Sequence, residues 1–287
     1  MKVINASVQE IKQGSGIKAI YQHIEKCGRT CYKSEDKITE DSAMKFFQGL
    51  VKRKHFAMLE HGTVYLRIPY FLINDKSMDT AIHKIRYSKY SFTIFDYTDS
   101  RGTILYITTN MRVLVEQVPR DILDYILRNF ALEEPSTKHI KRLTAKFTIS
   151  RGIANEFVRH RVFSFAQEST RYCNYLNDKF GGELTFIRPE WLKGEGIDRE
   201  AKDVWLKAMD RSEKDYLHLI KLGVKPQNAR GVLPLDLKTE LIMTGTLDQW
   251  EAFWDLRMRE ITGPAHPDAK AIAEEWYAEE WYRIVNP

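Results

Sequence analysis

Residues 143–171 read LTAKFTISRGIANEFVRHRVFSFAQESTR, and the change of period inside this stretch sets the fold. Leu143, Ala145, Phe147 and Ile149 alternate with Thr144, Lys146, Thr148 and Ser150. That alternation predicts a half-buried strand, because successive strand side chains point to opposite faces. Gly152 breaks it, and Ile153–Arg161 reads as a helix with Glu156 and Arg159 on one face. Directly behind come Arg159, His160, Arg161, Ser164, Gln167, Ser169 and Arg171. Guanidinium forks suit phosphate bidentately, and hydroxyls and amides complete such a cradle. Val158, Val162, Phe163, Phe165 and Ala166 interleave the polar set, so its backbone should be partly buried and its charges held in place. A buried arginine needs a partner. None is evident within the stretch, which favours a phosphate or nucleotide ligand over a merely solvated basic face.

On the C-terminal side, Leu184–Ile187 reads as a short strand ending at Arg188-Pro189. A long helix follows from Asp198, with Val204, Trp205, Ala208, Met209, Ser212, Tyr216 and Leu219 as its inward stripe and Gly223 as its stop. Pro226–Leu235 is a compact turn carrying Arg230, and Leu237–Thr244 is a strand. Trp250, Phe253, Trp254 and Arg257 mark another helix, and Pro267 starts the last, with Ala269, Ala273 and Trp276 inward. On the N-terminal side, a strand is expected within residues 2–11. Ile17, Ile20, Tyr21, Ile24 and Cys27 recur at helical spacing. Thr39 is the expected cap of a second helix burying Ala43, Phe46, Phe47, Leu50 and Val51. After His55–Gly62, HFAMLEHG, a strand is expected at Thr63–Ile68. Between residues 70 and 140 the signals are sparse: turns at Asn74-Asp75 and Ser100–Gly102, a strand at Thr103–Thr109, and a helix from Pro119 to Phe130. No repeat or low-complexity linker appears, so residues 1–287 read as one domain with an elaboration at about 70–140.

The chain has 287 residues, 43% hydrophobic and 29% charged, with a formal charge of +5. This is the profile of a soluble globular protein. The charge suits an anionic ligand but falls short of a dedicated nucleic-acid binder. No window approaches a membrane span or a signal-peptide core. Cys27, Cys31 and Cys173 are an odd number without metal-ligand spacing, pointing to a reducing, cytoplasmic setting. His55 and His61 show no third ligand, so no metal is expected.

The spacing Arg159-His160-Arg161, seven residues, then Ser169 resembles the signature of flavin-dependent thymidylate synthases. The similarity continues through Ser164–Tyr172 (SFAQESTRY), His55–His61 (HFAMLEH), Ala229–Leu237 (ARGVLPLDL), Leu256-Arg257 and Ala265–Asp268 (AHPD), in the family's order. The resemblance implies an α+β fold with an antiparallel or mixed sheet flanked by helices. It implies four subunits that build shared active sites. Reduced FAD would mediate transfer of a methylene group from methylenetetrahydrofolate to dUMP, giving dTMP, with NADPH as reductant. By position, Glu156, Arg159, Gln167, Glu168, Ser169, Thr170, Arg171, Arg230 and Arg257 would contact dUMP, Arg230 from another chain. Arg257 would be catalytic, a fixed cation stabilising charge as the pyrimidine becomes nucleophilic. His55, Glu60, Arg159, His160, Arg161 and Gln167 would face FAD.

Departures accompany the likeness. Glu156 stands where the family usually has glutamine, and could pair with Arg159 or accept a hydrogen bond from the nucleotide. Ala57, Thr246, Asp248 and Ala252 replace residues that commonly meet the flavin. Two alternatives therefore stand beside the synthase: a catalytically impaired dUMP- and FAD-binding relative, and a single-strand nucleic-acid binder stacking bases on Phe163 and Phe165.

Overall fold

The computed structural model describes residues 1–171, 175, 183–194 and 196–285, with side chains as far as residue 280. The alternating stretch is strand β6, Arg142–Ser150, and it forms the centre of the fold. It pairs antiparallel with β2 (Ser7–Glu10) and with β9 (Lys238–Thr246), and β9 pairs antiparallel with β7 (Ser164–Gln167). The order in this sheet is β2-β6-β9-β7. One face of β6 carries Leu143, Ala145, Phe147 and Ile149 into a core shared with helices α6 (Arg151–Phe157), α9 (Leu247–Arg257) and α10 (Pro267–Val285). Phe147, Phe157, Phe253, Trp250 and Trp276 are all fully buried there. Each such phenylalanine contributes about 1.5–3 kcal/mol of burial.

The opposite face of β6 is also covered, by helix α1 (Gly16–Thr30) and a 3-10 turn at Phe56–His61, so Thr144 is buried as well. The strand is therefore central on both sides, whereas alternation alone predicts only a half-buried one. The polar residues of this second face contact one another in a chain: His23 contacts Thr144 Oγ1 at 3.1 Å, Thr144 contacts Thr244 Oγ1 at 2.8 Å, and Thr244 contacts His61 Nδ1 at 2.7 Å.

A second sheet, order β3-β5-β4, comprises Thr63–Pro69, Ile104–Asn110 and Phe92–Asp96, all antiparallel. It packs with α1, α2 (Ser42–Lys52), α3 (Lys76–Arg86), α4 (Met111–Gln117) and α5 (Arg120–Asn129) around Ile24, Leu59, Leu66, Ile85, Ile107 and Leu114. Residues 70–140 thus supply two strands of this sheet and three of its helices. Helix α3, strand β4 and helix α4 have no counterpart in the sequence reading. In α3 the cap is Asp75, whose carboxylate accepts from the N–H groups of Ser77 and Met78. A third cluster gathers β1 (Lys2–Ile4), parallel to β8 (Thr185–Ile187), with α7 (Arg199–Lys221) and α8 (Pro226–Ala229).

Other boundaries differ from the sequence reading. Helix α6 stops at Phe157, four residues short of the predicted end at Arg161. Asp41, not Thr39, precedes α2. On α7, Val204 is 61% exposed and Ala208 is exposed too, while Glu213 is buried and accepts from the N–H of Leu184 at 2.7 Å. A buried carboxylate with a backbone partner is the kind of contact that periodicity cannot reveal.

Candidate active site

Ser150 ends β6 and caps α6, its hydroxyl accepting from the N–H of Ile153 at 3.3 Å. Where α6 ends, tight turns carry Arg159-His160-Arg161 out of the core: His160 N donates to Phe157 O at 3.0 Å and Phe163 N to His160 O at 3.1 Å. Arg159 and Arg161 are exposed rather than held among apolar neighbours. The anchor between them and β7 is Phe163, 5% exposed and edge-on to Trp250 at 4.6 Å. Gly245 on β9 makes room for that ring; a Cβ there would lie 2.5 Å from Phe163 Cε1.

Arg257, at the end of α9, reaches back to this turn. Its Nη1 donates to Glu156 Oε2 at 2.7 Å, Nη2 to the Glu156 carbonyl at 3.2 Å, and Nε to His160 Nε2 at 3.0 Å. Glu156 therefore pairs with Arg257, not with Arg159. The pairing arises because α6 and α9 lie side by side under Phe157 and Phe253, whose rings meet at 4.9 Å. Burial and the Arg257 charge lower the His160 pKa to about 4, so the ring is neutral at pH 7 and can accept from Arg257.

The residues expected to meet the nucleotide lie at the far end of β7. Gln167 Nε2 contacts Thr239 Oγ1 at 3.5 Å. Glu168 is buried; its carboxylate takes a 2.8 Å contact from Lys238 and the Tyr175 hydroxyl at 3.3 Å, so its side chain is a strut. Ser169 N donates to the carbonyl of Cys31, and Ser169 Oγ accepts from the N–H of Arg171 at 3.3 Å. Arg230 Nη1 donates to Thr170 Oγ1 of the same chain at 3.2 Å. Cys173, expected to be a packed thiol, lies outside the described residues.

On the side expected to face flavin, His55 is exposed at the start of the 3-10 turn. Glu60 is 8% exposed and bound by Arg112 Nη1 at 2.5 Å. His61 is wholly buried, and burial, His23 and Arg142 lower its pKa to about 3. Thr246 and Gln249 form the reciprocal cap of α9, and Asp248 is exposed beside them. Arg112, Arg142 and Lys238 were not picked out from sequence. Lys238 carried a faint signal, sitting just inside the predicted strand Leu237–Thr244; Arg112 and Arg142 carried none. Among the described residues no group of three His, Cys, Asp or Glu side chains could hold a metal ion, and no helix is long and apolar enough to cross a membrane.

The α+β chain thus sets an arginine from a distant helix against a basic turn, with a buried acidic strut beyond the far end of β7. Residues 97–282 match the sequence model of the family described as thymidylate synthase complementing protein, and the chain belongs to that family. It is 35% identical over 124 residues to the flavin-dependent thymidylate synthase of Pyrococcus abyssi, covering 42% of this chain and 49% of that one. The Pyrococcus furiosus enzyme of the same name is 36% identical over the same shares. The chain thus spans about half the length of the curated relatives it matches. Among solved structures, a UMP/dUMP methylase from Streptomyces cacaoi aligns over 99% of this chain and 93% of its own at 14% identity and a TM-score of 0.45, a remote likeness.

Proposed function

We propose that this protein is a flavin-dependent thymidylate synthase, methylating dUMP to dTMP with methylenetetrahydrofolate, FAD and NADPH. The observation that carries the reading is the meeting of Arg257 with Glu156 and His160 at the turn of the Arg159–Arg171 motif, from segments about a hundred residues apart. The residues present fit a flavin: Arg159 and Arg161 are exposed cations, and His55 presents an open imidazole. When bound, FAD would supply the redox and carbon-transfer chemistry. The chain's own residues bind and polarise. Arg257, oriented by three contacts, places a fixed cation where negative charge would develop on the pyrimidine, without reorganising during reaction. Neutral His160 keeps the Arg257 plane in place. Ser169, Arg171 and Arg230 present a hydroxyl and two guanidinium groups for the nucleotide phosphate. Four subunits sharing sites would let Arg230 serve a neighbour's nucleotide, and a cytoplasmic location suits these substrates.

The test joins spectrum and turnover. The purified protein should be yellow, its flavin reduced by NADPH faster with dUMP present, and it should release tritium from C5-labelled dUMP. Arg257→Ala should keep the flavin and lose tritium release. A colourless protein that takes up no FAD would sink the reading. Yellow protein without tritium release would instead identify a dUMP- and FAD-binding relative.

A further inference from the structure

Helices α2, α4 and α5 leave an open groove of about 690 Å³ between them, with Tyr21 of α1 also on its wall. No residue read above as nucleotide- or flavin-facing lines it, and its α4 and α5 walls come from within residues 70–140. Its volume falls within the roughly 300–1,000 Å³ of small-molecule sites.

The floor is apolar. Phe47 and Val51 of α2, Val115 of α4 and Leu123 of α5 are half-buried and pack onto the core beneath, and Met111 is wholly buried. Met44 stands 44% exposed beside them. The Phe47 ring is backed by Tyr21 at 4.5 Å, but α4 and α5 add only aliphatic and thioether groups to the apolar lining. With no ring on those helices to sandwich a planar guest against Phe47, the surface suits a flexible chain, to which methionines adapt readily.

The charges lie around that floor. Lys52 ends α2 and Arg120 begins α5, both exposed. Among the described residues no carboxylate lies within ion-pair distance of either. Pro119 precedes α5 and its side chain caps nothing, so the positive end of the helix dipole lies beside Arg120 without a side-chain cap. Asp124, one turn along α5, is the one carboxylate among the described lining residues. Burial, and after it the Asp124 charge, raises the Tyr21 hydroxyl above its ordinary pKa, so it stays a donor. Two cations against one anion leave the lining net positive. An apolar floor with a positive lining is complementary to a ligand that joins an unbranched chain to one anionic head.

We infer that this groove binds a fatty-acid-type carboxylate, with Lys52 and Arg120 receiving the carboxylate and the chain lying over Phe47, Val51, Val115 and Leu123. Nothing in this assignment depends on the flavin reading, because the two sites share no residue.

The test titrates dodecanoate, below its micellar concentration, into the full chain by calorimetry. Methyl NMR of labelled methionine locates the site. Dodecanoate should bind one site per chain, shift the Met44 and Met111 methyl signals, and bind more weakly as salt rises. It should bind at least tenfold more tightly than octanoate, since each fully buried methylene is worth up to about fourfold. Lys52→Gln and Arg120→Gln should each weaken binding about two- to fivefold, the size of a solvent-screened ion pair. Asp124→Asn should tighten it. Gln48→Trp, on an exposed lining residue, should fill the groove and abolish binding with an unchanged melting temperature. The charge variants, also on exposed residues, guard against a folding defect in Q48W. No binding to wild type, binding that survives Q48W, or unmoved Met44 and Met111 signals would overturn the assignment. Dodecanol binding as tightly as dodecanoate, with K52Q and R120Q unchanged, would refute the carboxylate. If dodecanoate fails to bind and Q48W dissociates an oligomer, a second copy of the chain covers the groove and the inference is wrong. Loss of flavin or of tritium release would leave these outcomes untouched.

Discussion

Replacing Glu156 by glutamine isolates the charge on the Arg257 partner. The carboxylate oxygen lies 2.7 Å from Nη1. Coulomb's law at that distance gives about 1.5 kcal/mol at the dielectric of water and about 6 kcal/mol at an effective value near 20. The side chains are 19% and 31% exposed, so solvent screens much of this and about 1–2 kcal/mol is the working magnitude. Glutamine keeps an acceptor for Nη1, and the Glu156 carbonyl and His160 contacts remain, so Arg257 should stay in place. What changes is its net charge toward a ligand. The carboxylate opposes an anionic ligand from further away than it attracts Arg257, so that magnitude is an upper bound: dUMP binding should tighten by up to about tenfold, since 1.4 kcal/mol is a factor of ten. Calorimetry at low ionic strength reads the affinity, and added salt should shrink the gain. NMR titration of His160 supplies an independent readout. Arg257 already depresses this pKa, second to burial, and with the opposing carboxylate gone the depression should deepen. Unchanged or weaker dUMP binding together with an unmoved His160 would mean that Glu156 acts through shape alone, and the electrostatic reasoning would fail.

Two further predictions concern what holds the site. His23 and His61 are both buried, and burial followed by neighbouring charge lowers their pKa values to about 4 and about 3. Between those values and the ordinary 6.5 the unfolded chain binds more protons, so stability is full above pH 6.5 and is lost as pH falls toward 4 and 3. At pH 5 the loss is at most about 2 kcal/mol per ring, from 1.36 kcal/mol per unit. Urea unfolding at pH 7 and pH 5 measures it, and equal stability at the two would show that these rings are not protonated on unfolding. Glu168→Ala leaves Lys238 buried with only Glu240, at 3.2 Å, and should cost about 3 kcal/mol, the low end for breaking a buried pair. Adding Lys238→Met should recover much of that in denaturation, and a double variant as unstable as the single would contradict the strut role.

The sequence by itself determined the central strand, the sequence order of the motif segments and the family they resemble. Those signals are local: period-two alternation at Leu143–Ile149, a helix start at Asp198, and fixed spacing from Arg159 to Ser169. Most of the inward stripe of α1 was legible for the same reason, since Ile20, Ile24 and Cys27 are all buried. Within residues 70–140, β5 and α5 were legible, but α3, β4 and α4 were not, because they are short elements that give no long period to read. Nor did periodicity show which charges meet. Glu156 is three residues from Arg159 but pairs with Arg257, 101 positions away, because packing under Phe157 and Phe253 brings α6 against α9. Glu60 and Glu168, read as ligand-side positions, have their carboxylates bound by Arg112 and Lys238. Asn110 and Arg142 are an ordinary strand-end amide and a strand arginine in sequence. Only the tertiary structure, by leaving one without an acceptor for its amide and the other without a carboxylate among the described residues, makes them part of the wall of a cleft. Local spacing determines which side chains are present and in what order, but the pairing of buried charges is decided by which elements pack together.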